Sequence, residues 1–160
     1  MVSQRAVDVL ARVLSNPVFL SALFSWLSAQ ILKSIIHLVR HRPLTAREVL
    51  LNIVWATGGM PSSHSAVVCA LATAAAFVEG PSSTLFFVTV FYALLTLRDA
   101  LGVRRSTGAQ ARTLNQLIRD LSPRIKVRAR PVKEVHGHTM SEVFVGALLG
   151  FFIAAGFCTL

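Results

Sequence analysis

Long apolar runs separated by short polar segments dominate the pattern of this chain of 160 residues. The runs cover about residues 17–39, 62–78, 84–97 and 143–160. A helix that crosses the hydrocarbon core of a bilayer needs about 20 mostly apolar residues, and the first run meets that length. We therefore predict an all-α integral membrane helical bundle, a single domain over residues 1–160, with about four transmembrane helices.

Shorter patterns predict the elements around these spans. Residues 1–16 alternate apolar and charged positions, which is typical of an amphipathic helix at the membrane interface. The apolar stretch 49–56 is too short to cross and is interpreted as a re-entrant or interfacial helix. Residues 104–138 form a basic loop with helical periodicity only at 111–121. Gly146 and Gly150 are four residues apart, which suits close helix–helix packing.

The composition excludes an ordinary soluble domain. Apolar residues make up 54% of the chain and charged residues only 14%, whereas soluble domains carry about a quarter charged residues. The net charge of +9 is gathered in two segments between apolar runs, which favours a membrane protein over one that binds nucleic acid. Cys69 and Cys158 lie inside apolar runs and are interpreted as packing residues.

The distribution of basic residues predicts the orientation in the membrane. Segments 40–60 and 104–138 hold three and nine Lys or Arg residues, whereas the N-terminus and the turn at 79–83 together hold two. Because basic loops stay on the cytoplasmic side, we expect the first two segments to face the cytoplasm and both termini to lie outside.

Polar residues in or beside the predicted spans all fall on this basic side. Such residues are costly in a membrane and are functional candidates. They are Lys33, Arg42, Ser62, Ser63, His64, Ser65, Arg98, Asp99, Arg104, Arg105, His138 and Glu142. One polar site at the cytoplasmic face is therefore predicted, with Arg98 and Asp99 interpreted chiefly as a buried ion pair.

This set of side chains suits a phosphate group. The segment 61–64 opens a helix whose serines can cap it and whose free N–H groups can face an anion. One histidine can attack phosphorus, and another can protonate the leaving oxygen. His138 and Glu142 are four residues apart, so on a helix they share a face and the carboxylate can hold the imidazole tautomer. His136 is close to His138 in sequence, so a metal site that uses both histidines is an alternative. Few further ligands are nearby, and we therefore expect no metal.

The segment GGMPSSHSA at 58–66 resembles the second motif of the phosphatidic acid phosphatase type 2 and vanadium haloperoxidase superfamily. More closely, the chain resembles the divergent bacterial and plastid branch of that superfamily. Further matching segments are DALGVRR at 99–105, GAQA at 108–111, and Gly137-His138 with Glu142, Val143 and Gly146. The resemblance covers about residues 19–152.

The resemblance implies a phosphatase that needs no metal and no cofactor. His138 is then the nucleophile that forms a phosphohistidine, Glu142 orients it, and His64 is the general acid for the leaving alcohol. The residues that bind the phosphate oxygens are then Lys33, Arg42, Ser62, Ser63, Arg104 and Arg105, aided by backbone N–H groups. Asp99 has no counterpart in the usual motifs and is kept as a supporting candidate.

The chain departs from the usual motifs at several positions, including Ser63 where the second motif has Gly and Glu142 where the third has Asp. Two further departures concern arginines. The first motif has six residues between its Lys and its Arg-Pro, whereas eight separate Lys33 from Arg42. Arg40 has the usual spacing without the proline and is held as the alternative. The arginine that usually precedes the third-motif histidine by six residues is Val132 here, and an arginine of segment 104–105 is expected to replace it.

The expected substrates are lipid phosphates of a bacterial inner membrane: phosphatidylglycerol phosphate, phosphatidate or a polyprenyl (di)phosphate. A cytoplasmic site favours the first two. One alternative is a non-catalytic membrane protein that binds anionic lipid or scaffolds a partner. A vanadate-dependent haloperoxidase is less consistent with a membrane-embedded chain. A four-span unit this small is also a candidate for homo-oligomer formation.

Overall fold

The computed structural model describes residues 2–40, 59–125, 130–134 and 137–159, which are mostly helical and contain no strand. The helices are α1 (Val2–Leu14), α2 (Pro17–Arg40), α3 (Ser63–Val78), α4 (Thr84–Arg98), α5 (Arg104–Ile125) and α6 (Met140–Thr159). A π-helical turn, Asp99–Val103, joins α4 to α5. The predicted all-α fold is confirmed. The short helix predicted at 49–56 lies outside the described residues.

Three helical segments are long and apolar enough to cross a membrane: Pro17–Val39, Thr84–Ser122 and Met140–Thr159. The fourth apolar helix, α3, has 16 residues and therefore spans about 24 Å. Large apolar side chains cover the outside of the bundle, among them Phe91, Leu95 and Phe152. An apolar exterior is what lipid requires, so the chain is an integral membrane protein.

Helix α3 lies at the centre and packs against α2, α4 and α6. Its buried face consists of small residues, including Ala66, Ala70 and Ala74. A Cβ atom on Gly146 of α6 would collide with the backbone carbonyl of Ser62, and one on Gly150 with that of Ala66. The predicted close packing at these two glycines is therefore confirmed, and it brings the start of α6 against the start of α3.

Helix α1 is amphipathic, and its described side chains are exposed. Ser15 and Asn16 join it to α2, where the Asn16 Oδ1 accepts the N–H groups of Val18 at 2.9 Å and Phe19 at 3.2 Å. This cap closes the first turn of α2, and Pro17 has no N–H to satisfy at its first position. The helix predicted at residues 1–16 is thus present.

The segment 104–138, predicted to be a basic loop with helical periodicity at 111–121, is a continuous helix from Arg104 to Ile125. The low hydropathy of this segment hides a buried face formed by Gly108, Ala111 and Asn115, which recur at helical spacing. The side-chain amide of Asn115 donates to the Val132 carbonyl and to Glu134, both at 2.9 Å, and accepts the Val132 N–H at 2.8 Å. Residues 130–134 and 137–139, here called the return segment, therefore come back along α5.

Candidate active site

Four parts of the chain meet at one end of the bundle. They are the second half of α2, the start of α3, the π-helical turn, and the return segment with the start of α6. Two backbone hydrogen bonds join the last three of these parts: Ser62 N–H to the Glu142 carbonyl at 3.0 Å, and His138 N–H to the Ala100 carbonyl at 3.3 Å. The site therefore rests on backbone contacts between elements distant in sequence.

His138 and Glu142 form the most defined side-chain pair of the site. The His138 Nδ1 lies 3.0 Å from the Glu142 Oε2, and the two side chains are 7% and 20% exposed. The same carboxylate oxygen accepts the Thr139 N–H at 3.1 Å. A carboxylate on Nδ1 fixes the imidazole ring and leaves Nε2 as its reactive nitrogen.

The pair differs from the prediction in one respect. His138 precedes α6, which begins at Met140, so the two residues do not share a helix face. The contact forms because the Glu142 carboxylate turns back to the N-terminus of α6, while the Ala100 carbonyl anchors the His138 backbone. A carboxylate in this position is also stabilised by the helix dipole.

Lys33 is buried within the apolar helix α2 and is 7% exposed. Its Nζ lies 3.5 Å from the Ser63 Oγ, to which it donates, and the charge of Glu142 acts on it. A buried ammonium group needs a compensating anion or acceptors around it. The contact with Ser63 places the Lys33 side chain at the end of the bundle where α3 begins.

The start of α3 is held by its cap. The Ser62 Oγ accepts the Ser65 N–H at 3.4 Å and the Ser65 O–H at 2.9 Å, and both side chains are fully buried. The Ser62 side chain thus caps α3, while the Ser63 Oγ accepts a hydrogen bond from Lys33. The first N–H groups of a helix have no partner within it, so this end can receive an anion.

His64 follows on the exposed side of α3. The charges of Arg104, His138, Lys33 and Asp99 all act on it. These predicted residues therefore lie near one another at this end of the bundle, with His64 exposed and His138 and Lys33 buried.

The π-helical turn changes the predicted pairing of Asp99. In a π-helix, residues five apart are neighbours, and the Arg104 Nε donates to the Asp99 Oδ2 at 2.7 Å. Both side chains are partly exposed, and Arg98 is exposed as well. The expectation of a buried Arg98–Asp99 pair is thus wrong, because the wider turn aligns Asp99 with Arg104.

Other predicted residues have fewer contacts with this end of the bundle. Arg105 is exposed, and its backbone lies against Gly137, where a Cβ atom would come within 2.5 Å of the Arg105 Cα. Arg42, the side chain of Arg40 and His136 lie outside the described residues. Among the residues that are described, no three His, Cys, Asp or Glu side chains form a group that could hold a metal ion.

Sequence reasoning missed two contributors to the site. Ala100 supplies the carbonyl that anchors His138, and Asn115 holds the return segment. The spacing of Asn115 from Gly108 and Ala111 is a signal that could have been found. The Ala100 carbonyl has no such signal, because it depends on the π-helical turn.

Comparison with known proteins identifies the family. Residues 14–153 match the family described as the Divergent PAP2 family. The chain belongs to the Divergent PAP2 family. It is also 37% identical over 152 residues to the "Uncharacterized membrane protein YuiD" of Bacillus subtilis (strain 168), covering 88% of this chain and 93% of that protein. No solved structure matches the chain. The predicted relationship to a divergent branch of the PAP2 superfamily is confirmed.

Proposed function

We propose that this member of the Divergent PAP2 family is a phosphatase that hydrolyses a membrane lipid phosphate without a metal ion. The observation that carries the proposal is the buried His138 held at Nδ1 by Glu142, whose charge also acts on the buried Lys33. A fixed imidazole with a free Nε2 is a nucleophile for phosphorus, and fixed cations stabilise the charge on the transferred phosphoryl group.

The first step is attack of the His138 Nε2 on phosphorus. The bond from phosphorus to the lipid oxygen breaks, and protonated His64 gives its proton to that oxygen as the alcohol leaves. Glu142 stabilises the positive charge that develops on the His138 ring. Lys33, Ser63, Arg104 and the N-terminal N–H groups of α3 bind the phosphoryl oxygens.

The second step returns the enzyme to its starting state. Neutral His64 takes a proton from a water molecule as the water oxygen attacks the phosphohistidine. The bond between Nε2 and phosphorus breaks, inorganic phosphate leaves, and His64 is again protonated. The exposure of His64 supports this role, because the acid must meet both the leaving alcohol and water.

The proposed setting is a bacterial inner membrane with the site on the cytoplasmic face. Helix α5 extends from the site end of the bundle and carries Arg112 and Arg119 in addition to the site arginines. Such an excess of basic residues favours the cytoplasmic side. Phosphatidylglycerol phosphate and phosphatidate are the favoured substrates, and a polyprenyl (di)phosphate is the third candidate.

Phosphate release by the purified protein in detergent with EDTA tests the proposal, with this panel of lipids as substrates. We expect release by the wild type that vanadate inhibits. His138→Ala is expected to lose activity by about 10³-fold or more, and His64→Ala by about 10²-fold or more. A folded wild-type protein that releases no phosphate from any of these lipids would instead favour a non-catalytic lipid-binding protein. Equal release by wild type and variants would show a contaminating enzyme.

A further inference from the structure

The π-helical turn places a carboxylate inside a site that otherwise gathers positive charge. The turn closes with the Arg104 N–H bonded to the Asp99 carbonyl, five residues back. This spacing puts the two side chains next to each other on one face of the helix. A carboxylate this close to a phosphate site repels the substrate, so its presence calls for a function.

The ion pair involves only the Nε–H group of Arg104. The Arg104 Nε donates to the Asp99 Oδ2 at 2.7 Å. A guanidinium has five N–H donors, and this contact leaves the four on its two terminal nitrogens for another acceptor. Terminal nitrogens of this kind can bind two oxygens of a phosphoryl group at once.

Stability does not account for the pair. The Arg104 and Asp99 side chains are 45% and 41% exposed, and exposed ion pairs contribute little to folding. Both charges act on His64, so the pair lies near the residue proposed to protonate the leaving group. The pair is thus placed for binding more than for folding.

We infer that Asp99 is a positioning residue, which holds Arg104 through Nε so that its terminal nitrogens bind the phosphoryl oxygens. This inference rests on the proposed phosphate site. The arginine is long and exposed, and without the carboxylate it would lose this orientation. Its orientation is then fixed before the substrate arrives, so less rotamer freedom is lost on binding.

Asp99→Asn tests the inference through the sign of its effect. If Asp99 positions Arg104, the variant binds phosphate less well: KM and the vanadate inhibition constant rise about tenfold, with a smaller change in kcat. If Asp99 is merely a nearby negative charge, its removal relieves repulsion, and both constants fall. A fall in the two constants, or no change, overturns the inference.

Arg104→Lys is a second test of the inference, and this substitution keeps the positive charge at position 104. A lysine has a single ammonium group and cannot be held by Asp99 and bind phosphate with separate nitrogens. We expect the same weakening as in Asp99→Asn, and no further weakening when the two substitutions are combined. Wild-type affinity in Arg104→Lys, or two effects that add fully, would count against positioning.

The matched control is Asp120→Asn, which removes the same charge from an exposed position on α5 away from the site. Its constants are expected to equal those of the wild type.

Vanadate binding is also measured directly by calorimetry on the detergent-solubilised protein. This measurement separates the proposed phosphatase activity from the proposed positioning role of Asp99. A wild type that binds vanadate but releases no phosphate refutes the proposed activity and still tests Asp99. A wild type that does neither refutes both.

Discussion

Glu142 takes part in both halves of the candidate site. Its backbone carbonyl accepts the Ser62 N–H at the start of α3, and its carboxylate binds the His138 ring and the Thr139 N–H. One residue thus connects the proposed nucleophile with the helix end proposed to receive the phosphate. Its main-chain contact does not depend on the side chain, so the role of the carboxylate can be tested separately.

Glu142→Gln is expected to lower kcat by about 10²-fold or more with little change in fold, because the neutral amide neither fixes the tautomer nor stabilises a charged imidazole. Steady-state phosphate release measures the effect. Glu79→Gln is the matched control, since Glu79 is an exposed carboxylate at the C-terminus of α3, away from the site. Activity in Glu142→Gln equal to that of the control would contradict the proposed role.

The sequence predicts some of the contacts between site residues and not others. The contact of His138 with Glu142 was predicted, but from a shared helix face that the structure does not have, because His138 precedes α6. The contact of Lys33 with the start of α3 follows from counting residues along the predicted spans. The partner of Asp99 does not follow, because a shift from four-residue to five-residue hydrogen bonding leaves the pattern of apolar positions unchanged. The periodicity of apolar residues indicates which helix face is buried. It does not indicate where a turn contains one extra residue.

At the scale of elements, α3 and α6 are joined by backbone contact at two glycines. Gly150→Ala is expected to destabilise the protein by about 1–3 kcal/mol, because its Cβ atom meets the Ala66 carbonyl and the helices must separate. Thermal unfolding in detergent measures this. The control is Gly156→Ala on the same helix, where an added Cβ atom meets nothing within 4 Å. A midpoint for Gly150→Ala at or above that of the control would be inconsistent with the close approach.

The return segment depends on one side chain of α5. Asn115→Ala removes the acceptor of the Val132 N–H, and we expect exchange of that amide hydrogen to accelerate about tenfold or more. Gln116→Ala, at the exposed neighbouring position, is the control. Hydrogen exchange followed by mass spectrometry of peptides covering residues 130–139 provides the measurement. Unchanged exchange in Asn115→Ala would mean that other contacts hold this segment.

The sequence predicts the helices better than it predicts the segments that connect them. The apolar runs correctly indicated α2, α4 and α6, because a bilayer demands long apolar segments whatever their neighbours. Helix α5 was only partly predicted, since its buried face meets the return segment and not the bundle. Its small buried residues carry little hydropathy, and a sparse signal of that kind is hard to distinguish from a loop.

At the scale of the whole molecule, the orientation in the membrane is testable with single cysteines. In a protein whose Cys69 and Cys158 are replaced by serine, Ser82→Cys marks the turn between α3 and α4, and Asp120→Cys marks α5. Both positions are exposed. We expect a membrane-impermeant maleimide to label the first in intact cells and the second only after permeabilisation. The opposite pattern would place the site outside the cytoplasm.

The tight contact between α3 and α6 has a mechanical consequence for the site. The Gly146 and Gly150 contacts and the bond from Ser62 to Glu142 make the two helix ends a single stiff unit. Helices tilt when the bilayer around them becomes thinner or thicker. We expect such a tilt to move the starts of α3 and α6 together, and with them His64 and the Glu142 carboxylate that holds His138. The distance between the two histidines is then insulated from the thickness of the membrane in which the protein works.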